Sequence, residues 1–258
     1  MHYLDFLQRV HEVLEPPTYF EIGIRHGDSL ALARSPSVGI DPAYELRVEI
    51  PERAALFRET SDEYFDRPDP LEPLGGRRVA LGFIDGLHLV EYALRDFVNV
   101  ERQSDWTSVV VFDDIFPADV EMAARKRRTV RWTGDVYKIL EILAHHRPDL
   151  VCLRVDTEPT GLLLVLGLDP QSSVLDARYD EIAVGAVRPD PQRVPDDVLE
   201  RRQAVDPEAV LAASFWSLLR DARDGQVPRR RGVRALRGAV RRDLGLRVRR
   251  PLAAALSR

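Results

Sequence analysis

The stretch YFEIGIRHGDS at residues 19–29 decides the fold class, because it joins an apolar strand to a helix start through two glycines. Its pattern is E-x-G-x-x-x-G-x-S, running from Glu21 through Gly23 and Gly27 to Ser29. Glycine lets the backbone turn sharply and approach a ligand closely, and a following helix presents free N–H groups. The spacing differs from G-x-G-x-x-G, which argues against a nicotinamide cofactor. The turn therefore indicates either a bound nucleoside or close packing of a strand against a helix.

On both sides of this stretch, short apolar runs alternate with longer segments of helical periodicity, as in an α/β sheet. Strands are predicted at residues 18–24, 37–40, 54–58, 79–84, 108–112, 150–155 and 161–167, and helices at 3–14, 28–34, 87–102, 135–147 and 207–224. The strand at 108–112 is four-fifths apolar, and such a run suits a strand buried on both faces of a parallel sheet. We predict an α/β fold with a Rossmann-like, seven-stranded, mostly parallel sheet, helices on both faces and a helical C-terminal extension.

The chain divides into three parts, because the alternating pattern closes at Asp169-Pro170. We expect a domain at 1–170, an extension at 171–228 with one amphipathic helix, and an arginine-rich tail at 229–258. The tail holds eleven arginines and one acid, Asp243, although the whole chain has a net charge of −5. The body is therefore acidic, which argues against nucleic acid as a partner.

The tail has two interpretations. Its apolar residues recur about one turn apart, so it can form an amphipathic basic helix that makes weak contact with a membrane or an anionic partner. Its three interior glycines disfavour an autonomous helix, which leaves a solvated tail or one docked on the acidic body.

Composition excludes several classes of protein. The single Cys152 rules out an internal disulfide framework, and its place in an apolar strand predicts a core residue. No run approaches the roughly 18 apolar residues of a membrane span, and the N-terminus lacks the pattern of a signal peptide. We expect a soluble, cytoplasmic protein.

Three carboxylates follow two predicted strands: Asp85 after one, Asp113 and Asp114 after the next. In an open parallel sheet the ligand lies outside the carboxyl ends of the strands. Neighbouring strands run about 4.8 Å apart, so these acids would converge. Like charges that close need a shared proton or a cation, and Mg²⁺ prefers oxygen ligands. The alternative is that the acids only cap a helix and open a turn.

Two further residues stand at the same predicted edge. Asp41 follows the second strand, 18 residues after Gly23, where an acid holds ribose hydroxyls in nucleotide-binding folds. His88 lies three residues past Asp85. An imidazole there can accept a proton from a substrate hydroxyl at neutral pH, or it is a cap or surface residue.

Five stretches together resemble the class I S-adenosylmethionine-dependent methyltransferases, specifically the small-molecule O-methyltransferases of the catechol and macrocin type: YFEIGIRHGDSL, VGIDPAY, LGFIDGLHLVEYALRDF, VVVFDDIFP and WTGDVYKIL. The resemblance spans about residues 18–170, and FIDGLH and FDD are its more specific elements. It implies that S-adenosylmethionine is the cofactor and that residues 1–170 form the methyltransferase domain of an enzyme.

The resemblance also implies roles for single residues. The methionine part of the cofactor would be held by Glu21, Gly23 and Gly27, with Ser29 near its carboxylate. Asp41 would bind the ribose hydroxyls and Ser61 would lie beside the adenine. A divalent cation, Mg²⁺ or another, would be coordinated by Asp85, Asp113 and Asp114. His88 stands where the catechol type has a lysine base.

The expected activity is transfer of a methyl group to a hydroxyl of a small molecule or sugar with metal assistance, as in natural-product or sugar modification. A metal-independent methyltransferase stays open. So does a non-catalytic cofactor-binding protein that acts through its basic tail on an anionic partner or membrane. Trp132, Asp135 and Tyr137 either line the acceptor site or begin a helix. The helix at 207–224, with Phe215 and Trp216, either forms a homodimer or covers the sheet edge.

Overall fold

A seven-stranded sheet forms the centre of the protein in a computed structural model that describes residues 1–223, 225 and 227–246. The strands are β1 (Tyr19–Ile22), β2 (Ser37–Ile40), β3 (Ala54–Phe57), β4 (Leu81–Ile84), β5 (Val109–Phe112), β6 (Val151–Val155) and β7 (Leu162–Leu166). The helices are α1 (Tyr3–Leu14), α2 (Ser61–Phe65), α3 (Val90–Arg102), α4 (Ile139–His146), α5 (Tyr179–Ala186), α6 (Asp196–Leu199), α7 (Pro207–Leu211), α8 (Phe215–Arg223) and α9 (Arg229–Leu244).

The sheet has the order β3-β2-β1-β4-β5-β7-β6. All neighbours pair in parallel except β7, which runs antiparallel to both β5 and β6. The predicted α/β, Rossmann-like, mostly parallel seven-stranded sheet is confirmed. The chain winds outward from β1 to β3 and then returns to β4 on the other side of β1. This reversal is the switch point at which open α/β sheets bind ligands.

The strand register aligns the residues that leave the carboxyl edge of the sheet. Ile22 pairs with Ile40 on one side and with Ile84 on the other, and Ile84 pairs with Phe112. The next residue of each strand therefore stands in one row at that edge: Asp41, Gly23, Asp85 and Asp113.

Both faces of the sheet are covered, which explains the continuous apolar runs in the strands. In β5, Val110 and Phe112 pack into one hydrophobic cluster, while Val109 and Val111 pack into the cluster on the opposite face. Burial on both faces is the condition under which parallel strands lose the apolar–polar alternation.

Two local predictions were wrong. The helix expected at 28–34 is a single 3₁₀ turn at Leu30–Leu32, because the Ser29 hydroxyl bonds to Glu21 instead of capping a helix and Pro36 follows closely. Cys152 is exposed on the outermost strand, β6, and not in the core.

The extension contains more short helices than the one predicted. The segment at 207–224 is broken into α7 and α8, and α5 and α6 precede it. Phe215 and Trp216 are buried within this chain, and Trp216 donates its indole N–H to the carbonyl of Val210 at 2.8 Å. Both side chains pack into the hydrophobic cluster on one face of the sheet, and a homodimer through this segment stays a prediction.

The first half of the arginine-rich tail is the helix α9, docked on the body. Val233, Leu236 and Val240 are buried along one face. Gly232 lies so close to the indole of Trp106 that a Cβ at this position would overlap the ring. Arg229 pairs with Asp149 at 2.8 Å. This matches the docked alternative. Residues 247–258 lie outside the described residues, and membrane or partner contact through the tail at 229–258 stays a prediction.

Within the described part of the chain, no helix combines the length and apolarity that a bilayer crossing requires.

Candidate functional site

A cavity of about 550 Å³ opens at the carboxyl edge of the sheet, over the switch point. Its lining includes the predicted site residues Gly23, Asp41, Ser61, Asp85, His88, Asp113 and Asp114. A larger groove of about 840 Å³ lies between α4, α5 and α6. We place the site in the smaller cavity, because it collects the strand-end acids, whereas the groove pairs Arg154 with Asp197 and Arg178 with Glu181.

Gly23 is the point where the first turn closes over the sheet. Its φ of +93° is the left-handed region that glycine tolerates, and a Cβ there would overlap the backbone of Asp85. Gly27 also has a positive φ, +91°, but it packs against Ile50 away from the cavity. Of the two predicted turn glycines, only Gly23 reaches the cavity.

Glu21 and Ser29 bond to each other behind the turn and do not line the cavity. The Ser29 hydroxyl donates to Glu21 Oε1 at 2.5 Å, and the Tyr19 hydroxyl donates to Oε2 at 2.7 Å. Burial raises the pKa of Glu21 to about 8. Both carboxylate oxygens accept hydrogen bonds inside the protein, and Glu21, Gly27 and Ser29 are not among the residues that line the cavity. Their contact with a cofactor stays a prediction. These residues support the turn from behind.

The carboxylate of Asp41 is held in place by hydrogen bonds from the backbone around it. Its carboxylate accepts the backbone N–H of Arg25 at 2.8 Å and that of Ala43 at 2.7 Å. Asp41 lines the cavity, as does Ser61, whose hydroxyl donates to Asp96 Oδ1 at 2.5 Å. Burial raises the pKa of Asp96 to about 7. Both predicted residues line the cavity, and Ser61 is bonded to a buried acid that also lines it.

The acid cluster, formed by Asp85, His88 and Asp114, differs from the predicted set of metal ligands. Asp85, His88 and Asp114 place one potential ligand atom each within 4.8 Å of one another. Asp113 lines the same cavity, but its Oδ1 accepts the N–H of Asp114 at 2.8 Å and faces the Thr160 hydroxyl at 3.4 Å. Asp114 has a φ of +63°, an unusual conformation for a residue other than glycine.

The imidazole of His88 has one nitrogen committed and one facing the acids. Nδ1 lies 2.7 Å from the Trp132 carbonyl and 2.7 Å from Asp114 Oδ2, so it must carry a proton. Nε2 lies 3.4 Å from Asp85 Oδ1. The ring is stacked on the Trp132 indole, with centroids 5.1 Å apart and planes 4° apart. Orientation of one ring nitrogen by a carbonyl is common to catalytic and metal-binding histidines.

Burial and neighbouring charges both shift the pKa values of the side chains in this cluster. Burial lowers the pKa of His88, but the hydrogen bonds and charges of Asp114 and Asp85 outweigh it and raise the value to about 11. Burial raises the pKa of Asp85 and of Asp113, and the charge of Asp114 adds to both shifts. The cluster therefore holds carboxylates that resist joint ionisation unless positive charge lies among them.

The segment WTGD at 132–135 holds His88 in place. Gly134 has a φ of +54°, and a Cβ there would overlap the His88 carbonyl. Asp135 accepts the N–H of Val90 at 2.9 Å, at the start of α3. Trp132 lines the cavity, whereas Asp135 and Tyr137 are buried away from it. Of the two interpretations left open for this segment, lining applies to Trp132 and a structural role applies to the other two.

Sequence reasoning missed several cavity residues: Tyr3, Arg25, Tyr92, Asp96, Arg127, Arg131 and Thr160. Tyr3 comes from α1, near the start of the chain, 82 residues before Asp85 in sequence. Burial raises its pKa, and the nearby charges of Asp113 and Asp85 act in the same direction. The local signal that was available is the unbroken basic run at 125–128.

The residues present fit a divalent cation. Two carboxylates and an imidazole nitrogen converge, and burial together with the charge of Asp114 raises the pKa of Asp85 and of Asp113. Oxygen ligands suit Mg²⁺, and an added imidazole also suits first-row transition ions.

No protein-family model matches this chain. No curated protein matches it in sequence. Three of the solved structures that this chain matches are named O-methyltransferases. A putative O-methyltransferase from Klebsiella pneumoniae has 15% identity and a TM-score of 0.47, covering 64% of this chain and 79% of that one. TomG from Streptomyces achromogenes, involved in tomaymycin synthesis and solved with SAM, has 17% identity and a TM-score of 0.46 over 64% and 78%. An O-methyltransferase from Bacillus cereus, solved with SAH, has 13% identity and a TM-score of 0.46 over 65% and 80%. These likenesses concern the fold alone.

Proposed function

We propose that the protein is an S-adenosylmethionine-dependent methyltransferase that modifies a hydroxyl of a small molecule or sugar with the help of a divalent cation. One observation carries the proposal: a single cavity joins the glycine turn and Asp41 to the cluster of Asp85, His88 and Asp114. Residues suited to a nucleoside and residues suited to proton transfer thus line the same cavity. Its volume of about 550 Å³ lies in the range of ligand pockets.

At the cofactor end, Gly23 lets the backbone approach a ligand and Asp41 presents a carboxylate suited to ribose hydroxyls. Ser61 and Asp96 offer polar atoms for an adenine ring. Glu21 and Ser29 act from behind, by holding the turn in shape. In this proposal residues 1–170 form the catalytic domain, and the extension supports it through α5, whose Tyr179 hydroxyl donates to the carbonyl of Glu91 on α3 at 2.8 Å.

At the acceptor end, the carboxylates of Asp85, Asp113 and Asp114 are the predicted metal ligands, and His88 is adjacent to them. When bound, the cofactor supplies an electrophilic methyl group and the cation lowers the pKa of the substrate hydroxyl. His88 keeps Nδ1 bonded to the Trp132 carbonyl and turns Nε2 toward Asp85. The charges of Asp85 and Asp114 raise its pKa, and a cation held by these carboxylates would offset that charge, so that the neutral imidazole would accept the hydroxyl proton at Nε2. Gly23 and Asp41 would hold the cofactor, which would supply the methyl group to the substrate oxygen and leave as S-adenosylhomocysteine.

The test is isothermal titration of the protein with S-adenosylmethionine, once with Mg²⁺ and once with a chelator. Micromolar binding in both conditions is expected, because Asp41 and Gly23 are not among the candidate metal ligands. Asp41→Ala should weaken this binding, and Asp85→Ala should leave it nearly intact while abolishing methyl transfer. Absence of binding to a folded sample would refute the proposal.

The alternatives give different results in the same experiments. A metal-independent methyltransferase would transfer methyl groups in chelator. A non-catalytic cofactor-binding protein would bind S-adenosylmethionine, and its biological output would be unaffected by Asp85→Ala and by His88→Ala but lost on deletion of residues 229–258.

A further inference from the structure

The cavity mouth carries a strongly basic loop on an otherwise acidic body. Residues 125–131 read RKRRTVR, with five basic side chains in seven positions. Arg127, Val130 and Arg131 line the cavity, and Val130 is 91% exposed. The charge of this loop has no role in the proposed function, so it needs a separate explanation.

Hydrogen bonds hold both ends of the loop on the body of the protein, and one end contacts His88 of the acid cluster. At one end, Arg125 donates to Glu91 and Asp135, and its backbone N–H donates to Asp190 at 3.0 Å. At the other end, Trp132 donates its indole N–H to the Ala124 carbonyl at 2.5 Å and stacks on His88. Arg131 directly precedes Trp132, and consecutive Cα atoms are about 3.8 Å apart, so its backbone is held next to the residue that contacts His88.

Two of the three guanidinium groups between these anchors have no acidic partner among the described residues: Arg128 lies 3.7 Å from Glu121, whereas Arg127 and Arg131 pair with no acid. Arg131 is exposed, and no acidic partner or hydrogen bond engages its side chain in the described structure. Arg127 donates only to the carbonyls of Thr129 and Val130 in its own loop. Across the cavity, Arg25 is exposed and its guanidinium has no hydrogen-bond partner among the residues described. Free guanidiniums recognise carboxylates and phosphates through paired N–H donors.

We propose that the acceptor is a hydroxylated organic anion, whose carboxylate or phosphate binds Arg131 and Arg127 while its hydroxyl lies at Asp85 and His88. This inference rests on the proposed function and specifies its substrate. The floor of the cavity is lined by carboxylates, which repel an oxyanion. The basic mouth and the acidic floor therefore select a single orientation of the substrate. The site is concave and the body is acidic, which favours a small anion over nucleic acid.

The test compares acceptors that differ only in the charged group. Catechol is paired with 3,4-dihydroxybenzoate, and glucose is paired with glucose 6-phosphate. Each is titrated calorimetrically into the full chain saturated with S-adenosylhomocysteine and Mg²⁺. The anionic member of at least one pair should bind at least roughly 10-fold more tightly, as one hydrogen bond to a charged group provides. The pair that shows the preference distinguishes carboxylate from phosphate, and the preference should fall as salt increases.

Arg131→Gln should reduce the preference roughly 10-fold. Arg53→Gln is the matched control, since Arg53 is exposed between β2 and β3, outside the cavity lining, and should leave the preference unchanged. Equal binding of neutral and anionic members, no binding of any anionic member, or equal effects of the two variants would overturn the inference. Tight binding of a short RNA that depends on Arg131 would reassign the loop and also overturn it. Failure of S-adenosylhomocysteine itself to bind refutes the proposed function, whereas its binding without charge preference refutes only this inference.

Discussion

Replacing Asp135 by asparagine is expected to destabilise the protein by about 3 kcal/mol, because it strands two cations that one buried carboxylate neutralises. Asp135 is fully buried. Its Oδ2 accepts from Arg125 Nη1 at 2.8 Å and from Lys138 Nζ at 2.8 Å, and its Oδ1 accepts the N–H of Val90 at 2.9 Å. Asparagine keeps the shape and the bond to Val90, so the variant isolates the charge.

The magnitude follows from what each cation retains. Breaking a buried ion pair by removing one partner costs roughly 3–5 kcal/mol. Arg125 keeps its pair with Glu91, and Lys138 keeps the Gln192 side-chain oxygen at 2.7 Å. Both cations stay partly satisfied, which places the loss at the lower end of that range. With a urea dependence of about 3 kcal/mol per molar, the unfolding midpoint should fall by about 1 M.

The assay is urea unfolding followed by tryptophan fluorescence and by circular dichroism. Glu208→Gln is the control, because it breaks the exposed pair with Arg9 at 2.6 Å and should cost less than about 1 kcal/mol. If Asp135→Asn lowers the midpoint no more than Glu208→Gln does, the buried network does not hold the segment beside His88 and the reasoning fails.

Three further outcomes are expected. Burial raises the pKa of Glu21 from 4.5 to about 8, so between those values the folded state holds a proton that the unfolded state has released, and stability should fall as pH rises through that window. Glu21→Gln should flatten this fall, and equal pH slopes of the urea midpoint in both proteins would contradict it. Asp41→Ala should weaken S-adenosylhomocysteine binding at least roughly 10-fold in calorimetry, since it removes a charged acceptor; unchanged affinity would place the ribose elsewhere. On α9, Gly238→Ala should raise the thermal midpoint, because helix propensity improves by up to about 1 kcal/mol and only Arg242 Nη1 lies near, at 3.7 Å. Gly232→Ala should lower the midpoint, because its Cβ would overlap the Trp106 indole and such overpacking costs roughly 1–3 kcal/mol. Shifts of the same sign in the two α9 variants would argue against the docking of α9.

Local patterns were enough to predict the sheet and the row of residues at its carboxyl edge. Apolar runs mark strands that are buried on both faces, and an acid directly after such a run must emerge at the strand end. Asp41, Asp85 and Asp113 are therefore placed by chain position alone once the strands are parallel. The spacing of apolar residues in α9 likewise predicted a helical face, although the glycines of the tail argued against an autonomous helix.

Contacts between distant segments were decided only by the tertiary structure. Glu21 turns away from the cavity because Tyr19 and Ser29 both bond to it, and Tyr3 reaches the cavity from a helix at the start of the chain. The nitrogen that His88 offers depends on the Trp132 carbonyl, 44 residues away in sequence. Residue type and spacing determine which chemistry a strand end can carry, but the side chains that complete the site are brought there by packing across the whole fold, which no local pattern records.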